Sequence, residues 1–188
     1  MKIEIMQGDI TQFKGDAIVN AANVTLLGGG GVDGCIHRAA GPELAESCRD
    51  IYPEVEPGIR CPTGEARVTP GFRLPTPFVI HTVGPIFSDS PTARNPYHPG
   101  ELADEYTDPE LVLAMSIASC LAIAEKLNLR TLAMPAISCG VFGCTIKKFV
   151  EVSKTIVASE DWKLNTLTFM LFQDEEFEEF KQCWEDIG

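Results

Sequence analysis

The sequence predicts an α/β fold: a mixed, mainly parallel sheet with helices on both sides. Three observations lead there. Short apolar or β-branched runs alternate with segments of helical periodicity along the whole chain. The run FVIHTV at 78–83 has the β-branched content of a strand buried on both faces. Segments of helical pattern separate the strands and are long enough to serve as crossover connections.

Taken in order, apolar residues alternate from Lys2 to Gln7, and a second strand, Ala17 to Asn20, follows the turn signal Gly15-Asp16. After a glycine run, Val32, Ile36, Ala39 and Ala40 recur at helical spacing as far as Gly41. Pro42 then opens a short helix through Ser47 and Cys48. Ala66 to Thr69 and Phe78 to Val83 read as strands, and the Pro-, Ser- and acid-rich stretch from Phe87 to Thr107 reads as a loop. Asp108 as N-cap and Pro109 at the first helical position announce a helix to about Leu127, with Leu111, Met115, Ala118 and Ala122 on its apolar face. Strand Thr131 to Ala136, helix Thr145 to Ser159, strand Thr166 to Phe172 and helix Asp174 to Trp184 complete the series, with Phe177, Phe180 and Trp184 facing inward in the last helix. No repeat or linker interrupts the pattern, so one domain is expected over residues 1–188.

Composition narrows the function. The chain is 45% hydrophobic and 22% charged, as in ordinary globular proteins. A formal charge of -12, with no basic cluster, opposes general nucleic-acid binding. Seven cysteines, an odd number without a CxxC pair, suit reduced thiols in the cytosol. The first residues show no basic-then-apolar leader, and no apolar run is long enough to span a bilayer, so a cytoplasmic protein without membrane contact is expected.

The densest signal is VNAANVTLLGGGGVDGCIHRAAG from Val19 to Gly41, where a strand passes through four glycines into a helix. Glycines let backbone N–H groups approach a ligand, and the helix start favours an anion, so this reads as a phosphate loop. It lacks the GK[ST] of a Walker loop, and its surroundings do not match a dinucleotide fingerprint. A second glycine loop, PAISCGVFG from Pro135 to Gly143, also joins a buried strand to a helix. Two such loops at one carboxyl edge could grip a diphosphate from opposite sides.

QGDI at 7–10, VNAAN at 19–23, GGGGVDGCIHRAAGPEL at 28–44, HTVGP at 81–85 and PAISCGVFG together resemble the macrodomain family, in order and along essentially the whole chain. GGGGVDGCIHRAAG is similar to the MacroD-type branch of ADP-ribosyl hydrolases, which also deacetylate O-acetyl-ADP-ribose. The resemblance implies a three-layer α/β/α macrodomain that binds ADP-ribose without a cofactor or a metal. Its implied reaction is hydrolysis of mono-ADP-ribose esters on acidic side chains of modified proteins, or of O-acetyl-ADP-ribose. Alternatives are an ADP-ribose-binding module without turnover, a phosphatase acting on ADP-ribose 1''-phosphate, and a regulatory domain for another nucleotide.

Laid onto matching positions, the resemblance gives Asp9, with Gly8 and Ile10 beside it, the adenine amino group, although Asp9 also reads as a turn or helix cap. Phe172 would cover the adenine face or belong to the core. Ala21, Ala22, Gly28, Gly29, Gly30, Gly31 and Val32 would line the first loop. Ser138, Cys139, Gly140, Val141, Phe142 and Gly143 would hold the diphosphate, with Phe142 against the distal ribose. Asn23 would bond a ribose hydroxyl and Asp33 would position the attacking water, while Asp33 also reads as a helix N-cap. His37, four residues on, shares its helix face and would support Asp33.

Family members commonly carry Thr at the Cys139 position and an aromatic-proline pair at Cys144-Thr145, so the second loop departs from pattern. Cys35 and Cys139 lie in glycine-rich loops, but neither has a Cys/His signature, and Cys35 fits an apolar helix face beside Ile36.

Overall fold

The structure is a computed structural model that describes residues 1–87 and 108–187; apart from Phe87, the expected loop lies outside those residues. Among the described residues six strands form one sheet: β1 (Lys2–Gln7), β2 (Ala17–Ala21), β3 (Ala66–Pro70), β4 (Phe78–Thr82), β5 (Thr131–Met134) and β6 (Thr166–Leu171), in the order β1-β6-β5-β2-β4-β3. Every neighbouring pair is parallel except β3 with β4. The expected mixed, mainly parallel sheet is therefore present. A 3-10 turn at Ile10–Gln12 follows β1 and was not anticipated.

Among the described residues five helices cover the sheet: α1 (Gly31–Ala40), α2 (Pro42–Ile51), α3 (Pro109–Lys126), α4 (Ile146–Ser159) and α5 (Asp174–Asp186). Alternation along the strands decides which residues each layer receives. Ala17, Val19, Ile80, Leu132, Met134, Leu167 and Phe169 pack with α3, α4 and α5, whereas Ile18, Val79, Ala133 and Met170 pack with Ile36 and Ala40 of α1 and Leu44 of α2. Phe149, Phe169 and Phe180 bury completely in the first layer, where each contributes about 1.5–3 kcal/mol over an exposed position. Val79, Ile80, His81 and Thr82 are all buried, as the FVIHTV run implied.

The face of α3 needs correction. Leu111 and Met115 are exposed, and the buried stripe is Leu113, Ser116, Ile117, Cys120, Leu121 and Ala124. PELVLAMSIASCLAIAEK is apolar on nearly every side, so its periodicity does not select a stripe. Packing against the strands does, and on that face the buried Ser116 Oγ lies 3.1 Å from Val83 O and 3.0 Å from Val112 O. Cys35 is likewise exposed rather than on the apolar face, with Arg38 Nη2 3.2 Å from its sulfur.

Sheet order also locates the point where the connections diverge. From β2 the chain proceeds toward β3 and β4 on one side, whereas from β5 it proceeds to β6 on the other. β2 and β5 are parallel neighbours, so the loops leaving their carboxyl ends diverge there, which is where open α/β sheets bind ligands. Those are the two glycine loops.

Candidate active site

The first loop leaves β2 at Ala21. Asn23 folds it over: Asn23 Oδ1 accepts from Thr25 N at 3.0 Å and Thr25 Oγ1 at 2.6 Å, and its Nδ2 donates to Gly28 O at 2.9 Å. Asn23 thus shapes the loop it was expected to serve, an Asx turn built from its own side chain. Gly31 starts α1 at φ 57, a left-handed value that glycine adopts without penalty. A side chain at Gly29 would bring its Cβ to 3.1 Å from both Asn23 Nδ2 and Asp33 Oδ2, so the bare backbone here keeps the two groups open to one another.

The N-cap of α1 is Gly30, which offers no side-chain hydrogen bond. Asp33 therefore does not cap the helix, contrary to one sequence reading. It is the third helical residue and turns inward, only 4% exposed. Asn20 Nδ2 donates to Asp33 Oδ1 at 2.7 Å. The same nitrogen lies 3.1 Å from His81 Nδ1, and His81 Nε2 lies 2.8 Å from Thr69 Oγ1. A carboxylate requires a donor, which fixes the Asn20 amide. That nitrogen only donates, so His81 Nδ1 accepts, and the ring proton sits on Nε2 toward Thr69. The result is a buried line from Thr69 through His81 and Asn20 to Asp33.

Electrostatics follow from burial. Desolvation raises the Asp33 carboxyl above its ordinary value, against the opposing effects of the Asn20 hydrogen bond and of His37. His37 is pushed down by burial despite the attraction of Asp33. Its Nε2 is 3.4 Å from Asp33 Oδ1 and makes no well-formed hydrogen bond, so a neutral imidazole packs beside the acid. His81, completely buried, is pushed down to about 3 and stays neutral. Asp33 Oδ2, on the Asn23 side, is buried with no partner among the described residues.

The second loop leaves β5 and ends at the N-cap Thr145, whose hydroxyl accepts from Lys148 N at 3.2 Å. Cys144 N donates to Ser138 O at 3.0 Å and Gly143 N to Gly140 O at 3.0 Å, which folds the loop back on itself. The N–H groups of Gly140, Val141 and Phe142 have no partner among the described residues, nor do those of Gly28 through Asp33 in the first loop. Ser138 holds a left-handed φ of 65, an unusual state for a residue with a side chain, and its buried Oγ has no partner among the described residues. Val141 is 83% exposed at the loop tip, and Phe142 O accepts from Phe87 N at 2.7 Å.

At the far end of the same edge, Gly8 N donates to Leu171 O at 2.9 Å, which joins the ends of β1 and β6. This brings Asp9 and Phe172 to one place. Asp9 Oδ1 accepts from Thr11 N at 2.9 Å and Thr11 Oγ1 at 2.8 Å, so it does cap a turn, while Ile10 beside it is buried. Phe172 is 74% exposed and is no part of the core. Ala22 is buried and Ala21 and Val32 half-buried along the floor of the first loop.

Asn20 and His81 lie within the VNAAN and HTVGP motifs, and the sequence alone assigns them no role. Their signal is a pair of polar side chains inside apolar strand runs, and the strands place them in direct register, Asn20 opposite His81. Buried polar groups of that kind are kept where they have partners.

Comparison with known proteins gives the same outline. The family model described as Macro domain matches residues 19–153. A macro domain-containing protein of Xanthomonas campestris is 47% identical over 87% of this chain and 81% of its own length. The ADP-ribose glycohydrolase MACROD2 of Xenopus laevis is 40% identical over 96% of this chain, which spans 39% of that longer protein. The Oceanobacillus iheyensis macrodomain with ADP is 34% identical, with a TM-score of 0.82 over 98% of this chain and 90% of its own. With the family model covering most of its length and a macro domain-containing relative 47% identical over 87% of it, the chain belongs to the macro domain family.

Proposed function

We propose that this edge binds ADP-ribose and hydrolyses ester bonds at its distal ribose, releasing ADP-ribose from modified Asp or Glu side chains or acetate from O-acetyl-ADP-ribose. The observation that carries the reading is Asp33: a buried carboxylate, fixed through one oxygen by Asn20, with its other oxygen beside Gly29 and without a partner among the described residues. Unpartnered N–H groups in both loops suit a diphosphate, and the net charge of -12 makes such local donors necessary for an anion. Exposed Phe172 and Asp9 suit the face and the amino group of adenine. The relative crystallised with ADP and the relative named an ADP-ribose glycohydrolase support the ligand class.

In this reading a water held by Asp33 Oδ2 attacks the distal-ribose carbon that carries the protein ester. The bond from carbon to carboxylate oxygen breaks, and Asp33 takes the water proton. Its raised proton affinity, caused by burial, makes it a better base than an exposed carboxylate. In the acetyl ester the water adds to the acetyl carbonyl instead, and the ribose oxygen leaves. Asn23 holds the ribose side of the loop, and Asn20 and His37 orient Asp33. ADP-ribosylated proteins are then the partners.

The deciding experiment measures ADP-ribose release from a protein mono-ADP-ribosylated on acidic residues, for wild type and Asp33→Ala, with ligand binding measured for both. Release by wild type alone supports an Asp33-dependent hydrolase. Binding by both proteins without release from this substrate or from O-acetyl-ADP-ribose makes the domain a reader of ADP-ribose.

A further inference from the structure

The second glycine loop carries two thiols that hydrolysis does not use. Cys139 and Cys144 flank its Gly140–Gly143 segment, and the loop doubles back so that Cys144 N meets Ser138 O at 3.0 Å. Both sulfurs approach one acceptor: Cys139 Sγ lies 3.8 Å and Cys144 Sγ 3.5 Å from Thr145 O. Bond formation then requires side-chain rotation and a small closure of the loop ends, to an S–S length of about 2.05 Å.

The pair is chemically distinct from the other cysteines. The neighbouring Cys139 lowers the Cys144 thiol, with a smaller contribution from Lys148, whereas Cys139 itself is raised. Burial pushes Cys48 and Cys61 up to about 12 and raises Cys120. Cys35 is exposed, but an arginine, not a second thiol, stands against its sulfur. A thiol that gives up its proton more readily, with a neighbouring thiol to resolve it, is what a reversible oxidation site needs.

We propose that Cys139 and Cys144 form a redox-sensitive pair whose disulfide closes the second glycine loop and weakens ADP-ribose binding until a thiol reductant reopens it. The effect on ADP-ribose rests on the functional reading above; formation of the disulfide does not. With a peroxide as oxidant, the Cys144 thiolate attacks one oxygen, the O–O bond breaks, and hydroxide leaves and is protonated to water. The sulfur of Cys139 then attacks the Cys144 sulfenic acid, the S–O bond breaks, and a second water leaves with the Cys139 proton. Two thiols lose two electrons, and the peroxide gains them. The loop suffers because the free N–H groups of Gly140, Val141 and Phe142 must converge on one anion, while Phe142 O is already tied to Phe87 N at 2.7 Å. Drawing the ends together turns those N–H groups away from a common point.

The test treats the full chain with a small excess of hydrogen peroxide, blocks remaining thiols, and cleaves after Phe142 with chymotrypsin, which leaves Cys139 and Cys144 on peptides joined only through a disulfide. ADP-ribose affinity is measured by calorimetry before oxidation, after it, and after dithiothreitol. The expected result is a Cys139–Cys144 crosslink and affinity lower by about tenfold, restored by reductant and insensitive to peroxide in Cys139→Ser and in Cys144→Ser. Oxidation of either thiol to sulfinic acid without a crosslink overturns the proposal, as does unchanged affinity in the crosslinked protein. If the reduced protein does not bind ADP-ribose, the functional reading falls, and the presence or absence of the crosslink still decides the thiol pair.

Discussion

Asn20 Nδ2 and Asp33 Oδ1 lie 2.7 Å apart, one on a central strand and the other in the first turn of α1, and both side chains are buried. This bond stabilises the charged carboxylate, so it lowers the Asp33 pKa against the larger upward effect of burial. Asn20→Ala removes it and the Asp33 pKa rises further. The acid limb of the pH–rate profile for ADP-ribose release then moves to higher pH. Turnover falls by about tenfold to a hundredfold, the worth of one hydrogen bond to a charged group, while ADP-ribose binding persists. An acid limb at its wild-type position, with activity lowered evenly at every pH, would refute this role for Asn20.

His81 makes stability depend on pH. Its folded pKa is depressed to about 3, whereas the unfolded residue titrates near 6.5. The folded state therefore refuses a proton that the unfolded state accepts below about pH 6.5, and stability falls with pH from there toward 3 by about 1.4 kcal/mol per unit. Above that window His81 contributes no slope. His81→Gln keeps an amide for hydrogen bonding but does not titrate. Urea unfolding at pH 7.5 and pH 5.0 should show wild type losing roughly 2 kcal/mol more than His81→Gln. Equal losses would mean that His81 is protonated in the folded protein.

How much could be read beforehand differs between elements. The strands were legible because β-branched and alternating runs reflect burial directly, and their observed ends fall within two residues of those expected. The two glycine loops were legible because glycine carries a backbone requirement in its own identity. The α3 face was not: Leu111 and Met115 fit the apolar period as well as Leu113 and Ile117, and only the partner strands choose between them. Nor was the Asn20–His81 contact, which arises from pairing β2 with β4 across 61 positions of sequence. Asp33 could be named from its motif, but its distance from a capping role appears only once α1 is seen to start at Gly31.

Asp33 should also trade stability for chemistry. Burial is the largest influence on its carboxyl and opposes the charge, while Oδ2 has no partner among the described residues. Asp33→Asn removes the charge with little change in volume. Release of ADP-ribose should fall by at least about a hundredfold, while folding stability rises by about 1 kcal/mol, or 2–4 °C in Tm for a domain of this size. Thermal unfolding of both proteins at pH 7.5 checks this. A variant less stable than wild type would place the carboxylate among the groups that hold the fold together.

Two phenylalanines on β6 and just beyond it separate packing from recognition. Phe169 is completely buried against Phe149, Phe180 and Trp184, with ring centroids 6.0, 5.0 and 5.3 Å away. Phe169→Ala should cost about 3–5 kcal/mol of stability through lost burial and a cavity. Phe172, three residues later on the opposite side of that boundary, is 74% exposed, so Phe172→Ala should change stability by less than about 0.5 kcal/mol. If its ring covers adenine, the same substitution weakens ADP-ribose binding by roughly 1–3 kcal/mol, the usual worth of one aromatic stacked on a base. It should leave the affinity for ribose 5-phosphate, which has no base, unchanged. Calorimetry with both ligands reads this directly: parallel losses would show that Phe172 shapes the edge as a whole, and no loss for either would remove it from the site.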